Sequence, residues 1–188
     1  MKKFQNKWLL ISALGISLIG AALTLSCSNE ETNSIQQTNP TERFTNGTKV
    51  GEDRSGTYVI TANTATLLTD FSDYASDQGL GSITYTQLQI IKGAVSGSRP
   101  TEYYYGLFAS DASNTHHAAI ELKRTAGAQH YDLSISAEHT GTITCSSTNC
   151  TGCLPIQTTI PGIPGVKTWT CTPCGGNGTC SKTATLNI

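Results

Sequence analysis

The stretch "HAAIELKRTAGAQHYDLSISAEH" (117–139) alternates apolar and polar residues on both sides of a small, polar break. In its first half Ala118, Ile120 and Leu122 share one face, with Glu121 and Lys123 on the other. In its second half Tyr131, Leu133, Ile135 and Ala137 point one way, and Asp132, Ser134, Ser136 and Glu138 the other. Successive side chains of a strand point to opposite sides, so a period of two marks a half-buried strand. With "AGAQ" as the turn, the stretch predicts an antiparallel hairpin in which Ile120 opposes Ile135 and Leu122 opposes Leu133. That register would set His116 opposite His139 and His117 opposite Glu138, a grouping that could hold a transition metal. The plainer reading is a solvated hairpin end, because one register slip separates these groups.

Working upstream, "SITYTQLQII" (82–91) and "EYYYGLFAS" (102–110) predict two more strands, and "TYVITA" (57–62) a short one. In "EYYYG" Tyr103 and Tyr105 share a face and Tyr104 takes the other; exposed tyrosines can stack on sugar rings, and half-buried ones pack at a core rim. Between 63 and 81, Leu67, Phe71 and Tyr74 or Ala75 recur at helical spacing, with Asn63 or Thr64 able to cap the start and Gly79 the end. The sum is an α+β fold: a four- or five-strand antiparallel meander with one helix packed on one face.

Farther toward the N-terminus, Lys2, Lys3 and Lys7 precede the uncharged run "WLLISALGISLIGAALTL" (8–25), followed by Ser26 and Cys27. A charged segment followed by an apolar one marks export. "LTLSC" (23–27) resembles the lipobox of bacterial lipoproteins, in which a small residue precedes a cysteine that is diacylated on sulfur and whose new amino group usually takes a third chain after cleavage; Thr24 stands where that pattern favours leucine. The resemblance implies that residues 1–26 are a signal peptide and that Cys27 carries the lipid, with two or three acyl chains holding the protein on a bilayer. The acids of "SNEETNS" (28–34) are similar to the short signal that sends some Gram-negative lipoproteins to the outer face of the outer membrane. Residues 27–55 are polar, with Pro40, Gly47 and Gly51, and predict a flexible tether. Two further segments follow, an α+β domain over 56–140 and a Cys-rich module over 141–188 that forms one unit with it.

Beyond Ser26 the chain keeps nine basic residues against thirteen acidic ones and no basic run. That composition speaks against nucleic acid and against electrostatic binding to anionic lipid, leaving the acyl chains as the membrane contact. No nucleophile motif, phosphate-binding glycine loop or paired-acid arrangement is legible. The expected function is therefore a lipid-anchored, non-catalytic protein of the cell envelope, in binding or structure. A protein or glycan ligand is left open, as is the oligomeric state.

Six cysteines crowd the last quarter: Cys145, Cys150, Cys153, Cys171, Cys174 and Cys180, spaced C-x4-C-x2-C-x17-C-x2-C-x5-C. With Cys27 taken by lipid the count is even and the compartment oxidising, so a disulfide framework without cofactor is the first expectation. The alternative is zinc, since "CTGC" and "CTPCGG" resemble the knuckles of a zinc ribbon, with Cys150, Cys153, Cys171 and Cys174 as the four thiolates. The ferredoxin-like spacing C-x4-C-x2-C and a redox "CTPC" are further readings. A hairpin joining "VKTWTC" to the last strand through "TPCGGNGT" would set Cys171 opposite Cys180 and bridge them.

Overall fold

β5 (His116–Ala126) organises the sheet, because both of its edges are used and one of them is divided. The structure, a computed structural model, describes residues 44–98, 102–136, 141–150, 152–163 and 165–184. On one edge of β5 runs β4 (Tyr103–Asp111), with Leu107 opposite Ile120. On the other, β6 (Tyr131–Ile135) takes Leu122–Ala126 and β7 (Ile143–Thr148) takes His116–Ala119. β3 (Tyr85–Ala94) continues beyond β4, and β1 (Lys49–Arg54) and β2 (Thr57–Ile60) beyond β6. β2 comes back beside β3, so β3-β4-β5-β6-β1-β2 curl into a nearly closed barrel.

β1 lies inside the stretch expected to be tether, which corrects that boundary. Its sequence, "KVGEDR", has one large apolar residue, Val50, and that residue is fully buried. Gly51 faces inward without a side chain because there is no room for one: a Cβ there would stand 2.6 Å from Ile90 Cδ1 and collide with the Val59 backbone. A strand whose inward position must be glycine carries too little apolar pattern to be read. Cys27, expected to carry lipid, and the rest of the expected leader and tether up to residue 43 lie outside the described residues.

The one helix among the described residues, α1 (Thr64–Asp77), forms where its spacing predicts. Asn63 Oδ1 accepts from the backbone N–H groups of Ala65 and Thr66 at 3.0 and 3.2 Å, satisfying two of the donors a helix start leaves unpaired. Gly79, at φ +73°, turns the chain out of the helix. Leu67, Phe71 and Ala75 form the buried stripe and pack with Val50, Ile90, Leu107, Ile120, Leu122, Leu133 and Ile135 in the barrel interior. Phe44 closes on Phe71 with centroids 4.8 Å apart. Among the described residues no helix is long and apolar enough to cross a membrane.

The hairpin expected in this stretch forms between β5 and β6, with a different register: Leu122 opposes Ile135 and Arg124 opposes Leu133. The turn falls one residue later, closed by Gly127 N–H donating to His130 O at 2.8 Å. The shift is by two, so every side chain keeps its face. On the same edge His116 pairs with Ser146 and His117 with Cys145 on β7, because β6 ends at Ile135 and frees that edge. Glu138 and His139 lie outside the described residues.

The far face of β4–β5 has its own core. Tyr104, Phe108 and Ala119 meet Ile143, Cys145, Cys153 and Trp169 there. Trp169 sits on β9 (Lys167–Cys171), which pairs with β8 (Pro155–Thr159) as a separate two-stranded sheet. β10 (Thr179–Ala184) pairs with β7, Cys180 facing Ser147. The expected β9–β10 hairpin is thus replaced by two different pairings, and the four- or five-strand meander by an eight-stranded sheet. All described residues fall within one compact unit.

Candidate functional site

The six C-terminal cysteines form three disulfides: Cys145–Cys171, Cys150–Cys174 and Cys153–Cys180, with Cα separations of 5.8, 5.7 and 5.5 Å. In chain order they join first to fourth, second to fifth and third to sixth, so each one ties the segment 145–153 to the segment 171–180. Cys171 and Cys180 are not bridged to each other, because β9 leaves for β8 while β10 crosses to β7. A loop of this length contributes about 3 kcal/mol through the unfolded state, and less than the sum when loops overlap. Cys145 and Cys153 are fully buried against Phe108 and Trp169, so the cross-links are also core. The sulfurs of Cys145, Cys153 and Cys171 lie within 4.8 Å of one another, a different grouping from the zinc-ribbon quartet.

Trp169 is what the cross-links hold in place. Its ring is edge-on to Tyr104 at 5.3 Å and to Phe108 at 5.9 Å. Gly106 makes this possible: a Cβ there would come within 2.6 Å of the Phe108 ring and 3.3 Å of Trp169 Cη2. Burial pushes the Tyr104 phenol up.

A second constellation gathers where β1, β2, β4, β5 and β6 meet at the end of the barrel that bears the β1–β2 and β5–β6 turns. Arg124 donates through Nε to Asp53 Oδ2 at 2.8 Å, and its guanidinium stacks on the Tyr131 ring, 3.2 Å from the centroid, with Tyr105 at 5.8 Å. Asp53, only 3 % exposed, also accepts from Gly56 N–H at 2.7 Å. Tyr58 lies 6.0 Å from Tyr105, its phenol raised by burial and by that neighbour. On the adjoining strands Lys92 caps Tyr103 at 4.2 Å. Tyr103 and Tyr131 are 49 % and 43 % exposed, so each ring keeps a face open to solvent while a cation covers the other. Open tyrosine faces beside cations suit sugar rings or flat polar ligands. The sequence placed Tyr103 and Tyr105 on one face and Tyr104 on the other, as found, but missed Arg124 and Asp53. The legible signal was Arg124 itself, two residues after Leu122 and hence inward.

Two other clusters carry less chemistry. Asp111 accepts from Ser113 Oγ, from the N–H groups of Thr115 and His116, and from His116 Nδ1 at 3.1 Å. Burial pulls its pKa up, and the hydrogen bonds from Ser113, His116 and Thr115 outweigh that and hold it well below the usual carboxylate range. Thr115 Oγ1 meets the same ring nitrogen, Nδ1, at 3.0 Å, so this is a clamp on the β4–β5 turn and not a relay through the imidazole. A shallow groove is lined by Lys49, Glu52, Ala128, Gln129, His130 and Asp132. Its charges pair among themselves, with Lys49 bound to Asp132 at 2.7 Å and to Glu52 at 2.8 Å. Hydrogen bonds from Lys49 and Arg54 lower Glu52 to about 2.

The chain matches no protein-family model, no curated protein and no solved structure. The described residues define a class, a disulfide-stapled and mostly antiparallel β domain with one helix.

Proposed function

We propose that this chain is a cell-envelope lipoprotein, anchored to the outer membrane through lipid on Cys27, which presents a non-catalytic, disulfide-stapled domain for binding. The observation that carries the reading is the disulfide framework: six cysteines paired without remainder fit a chain folded in an oxidising compartment, which is where the "LTLSC" leader would deliver it. The tyrosine-lined end of the barrel is the ligand face, and a glycan is the ligand class it suits best, stacking on Tyr103 and Tyr131.

Two measurements test this. Full-length protein expressed in a Gram-negative host with a clickable palmitate analogue should take up label at Cys27 and lose both label and membrane association in Cys27→Ser; unlabelled wild type in the soluble fraction would sink the anchor. The exported domain, screened on a glycan array, should bind a subset that Tyr103→Ala/Tyr131→Ala no longer binds, while an unchanged pattern would remove the tyrosine face from the proposal. The zinc reading is separated by native mass: metal mass lost to chelator, with Cys150, Cys153, Cys171 and Cys174 then accepting a thiol label, would replace the stapled domain by a zinc-ribbon-like centre.

A further inference from the structure

We propose that Cys145–Cys171 and Cys153–Cys180 form an exchange pair, through which a small thiol rewires the C-terminal module without net oxidation or reduction. The geometry supplies the order of events. Cys153 is fully buried and Cys180 half-buried, so a thiolate from solvent meets the Cys180 sulfur first. Attack there forms a mixed disulfide on Cys180 and expels Cys153 as thiolate. Cys153 Sγ already lies within 4.8 Å of both sulfurs of the neighbouring bridge.

The expelled Cys153 thiolate attacks Cys145 Sγ, forming Cys145–Cys153 and releasing Cys171 as thiolate. Cys171 then attacks Cys180 in the mixed disulfide, forming Cys171–Cys180 and returning the small thiol. Two bridges break, two form, and the thiol is regenerated, so the sequence is an isomerisation catalysed by a monothiol. Cys171 is placed for the last step, since its sulfur lies 3.9 Å from the carbonyl of Ser181, the residue after Cys180.

The consequence is mechanical. Three covalent ties between the segments 145–153 and 171–180 become one, Cys150–Cys174. The β8–β9 hairpin, with Trp169, would then be held to the sheet mainly by packing. The device is a thiol-sensitive release of the second core.

Trypsin provides the test, because it cuts after Arg124, Lys167 and Lys182 and so separates peptides 125–167 and 168–182. In oxidised Cys150→Ser/Cys174→Ser protein these peptides are joined by both bridges. After incubation with substoichiometric glutathione at about pH 8, acid quench and alkylation, they should separate, each carrying one internal disulfide, with free thiols far below protein. The rate should exceed that of an equal-length denatured control roughly tenfold or more. Peptides that stay joined, whether unchanged or with glutathione held on Cys180 and one free thiol at Cys153, would overturn the proposal. Should this variant not fold, tandem mass mapping of the wild type decides: new bridges confined to Cys145, Cys153, Cys171 and Cys180 support exchange, and new bridges including Cys150 or Cys174 as often mean random scrambling and overturn it.

Discussion

Trp169 stands edge-on to Tyr104 with ring centres 5.3 Å apart, across the boundary between the cysteine-rich module and the far face of the barrel sheet. The indole is 2 % exposed, and it is the largest side chain the module contributes to the second core. Trp169→Ala should therefore cost about 3–5 kcal/mol, as for other buried tryptophans, measured by urea denaturation of the oxidised domain. Gly106→Ala should also destabilise, because the new methyl meets Phe108 and Trp169; the double variant should lose less than the sum of the singles.

The start of α1 offers a smaller and cleaner test. Replacing Asn63 by Ala removes the acceptor for two backbone N–H groups and should lower stability by about 1 kcal/mol, whereas Asn63→Asp should be close to neutral. Equal losses in both variants would remove the cap from the account.

Acid sensitivity should trace in part to Asp111. Its carboxyl is held below the ordinary value of 3.8, so the folded state binds its proton later than the unfolded state does. The stabilisation is complete above that ordinary value and is lost as pH falls below it toward the folded-state value. Asp111→Asn should flatten the fall in unfolding midpoint between about pH 4 and pH 2. Glu52, lowered to about 2 from 4.5, acts in the same direction, but its pairs are exposed, so that share should fade in high salt. A midpoint that falls equally in wild type and Asp111→Asn would contradict the assignment.

The Asp53–Arg124 pair predicts an asymmetry. Arg124→Ala leaves a buried carboxylate with the Gly56 N–H still donating to it and should cost about 2 kcal/mol, below the value for a fully buried pair because the guanidinium is partly solvated. Asp53→Asn/Arg124→Met should recover part of that loss. A thermal melt of wild type, Asp53→Asn, Arg124→Met and their double variant measures the coupling directly.

Where the pattern was local, it could be read. The alternation of 117–139 named the faces of β5 and β6, and the Leu67–Phe71–Ala75 spacing named the buried side of α1, because each depends only on the period of its own element. The register between β5 and β6 slipped by two, since the apolar residues tolerate either pairing and the choice falls to polar contacts around Arg124, with Asp53 on β1 and Tyr131 on β6. β1, β7 and β8 were illegible for related reasons: β1 buries a glycine, and β7, "ITCSST", and β8, "PIQTT", present threonine, serine and cysteine, whose burial depends on what covers them.

The cysteine chemistry divides the same way. An even count of six in a Gly- and Thr-rich tail pointed to cross-links from sequence alone, because a segment so poor in large apolar side chains needs them. Which sulfur meets which was decided by strand pairing. β9 joins β8 and β10 joins β7, so the nearest cysteines in sequence are kept apart and each bridge spans the two segments. The tyrosine-lined barrel end likewise exists only in three dimensions: Asp53, Arg124 and Tyr131 come from three strands, and the lateral pairing of β5, β6 and β1 brings them to one place.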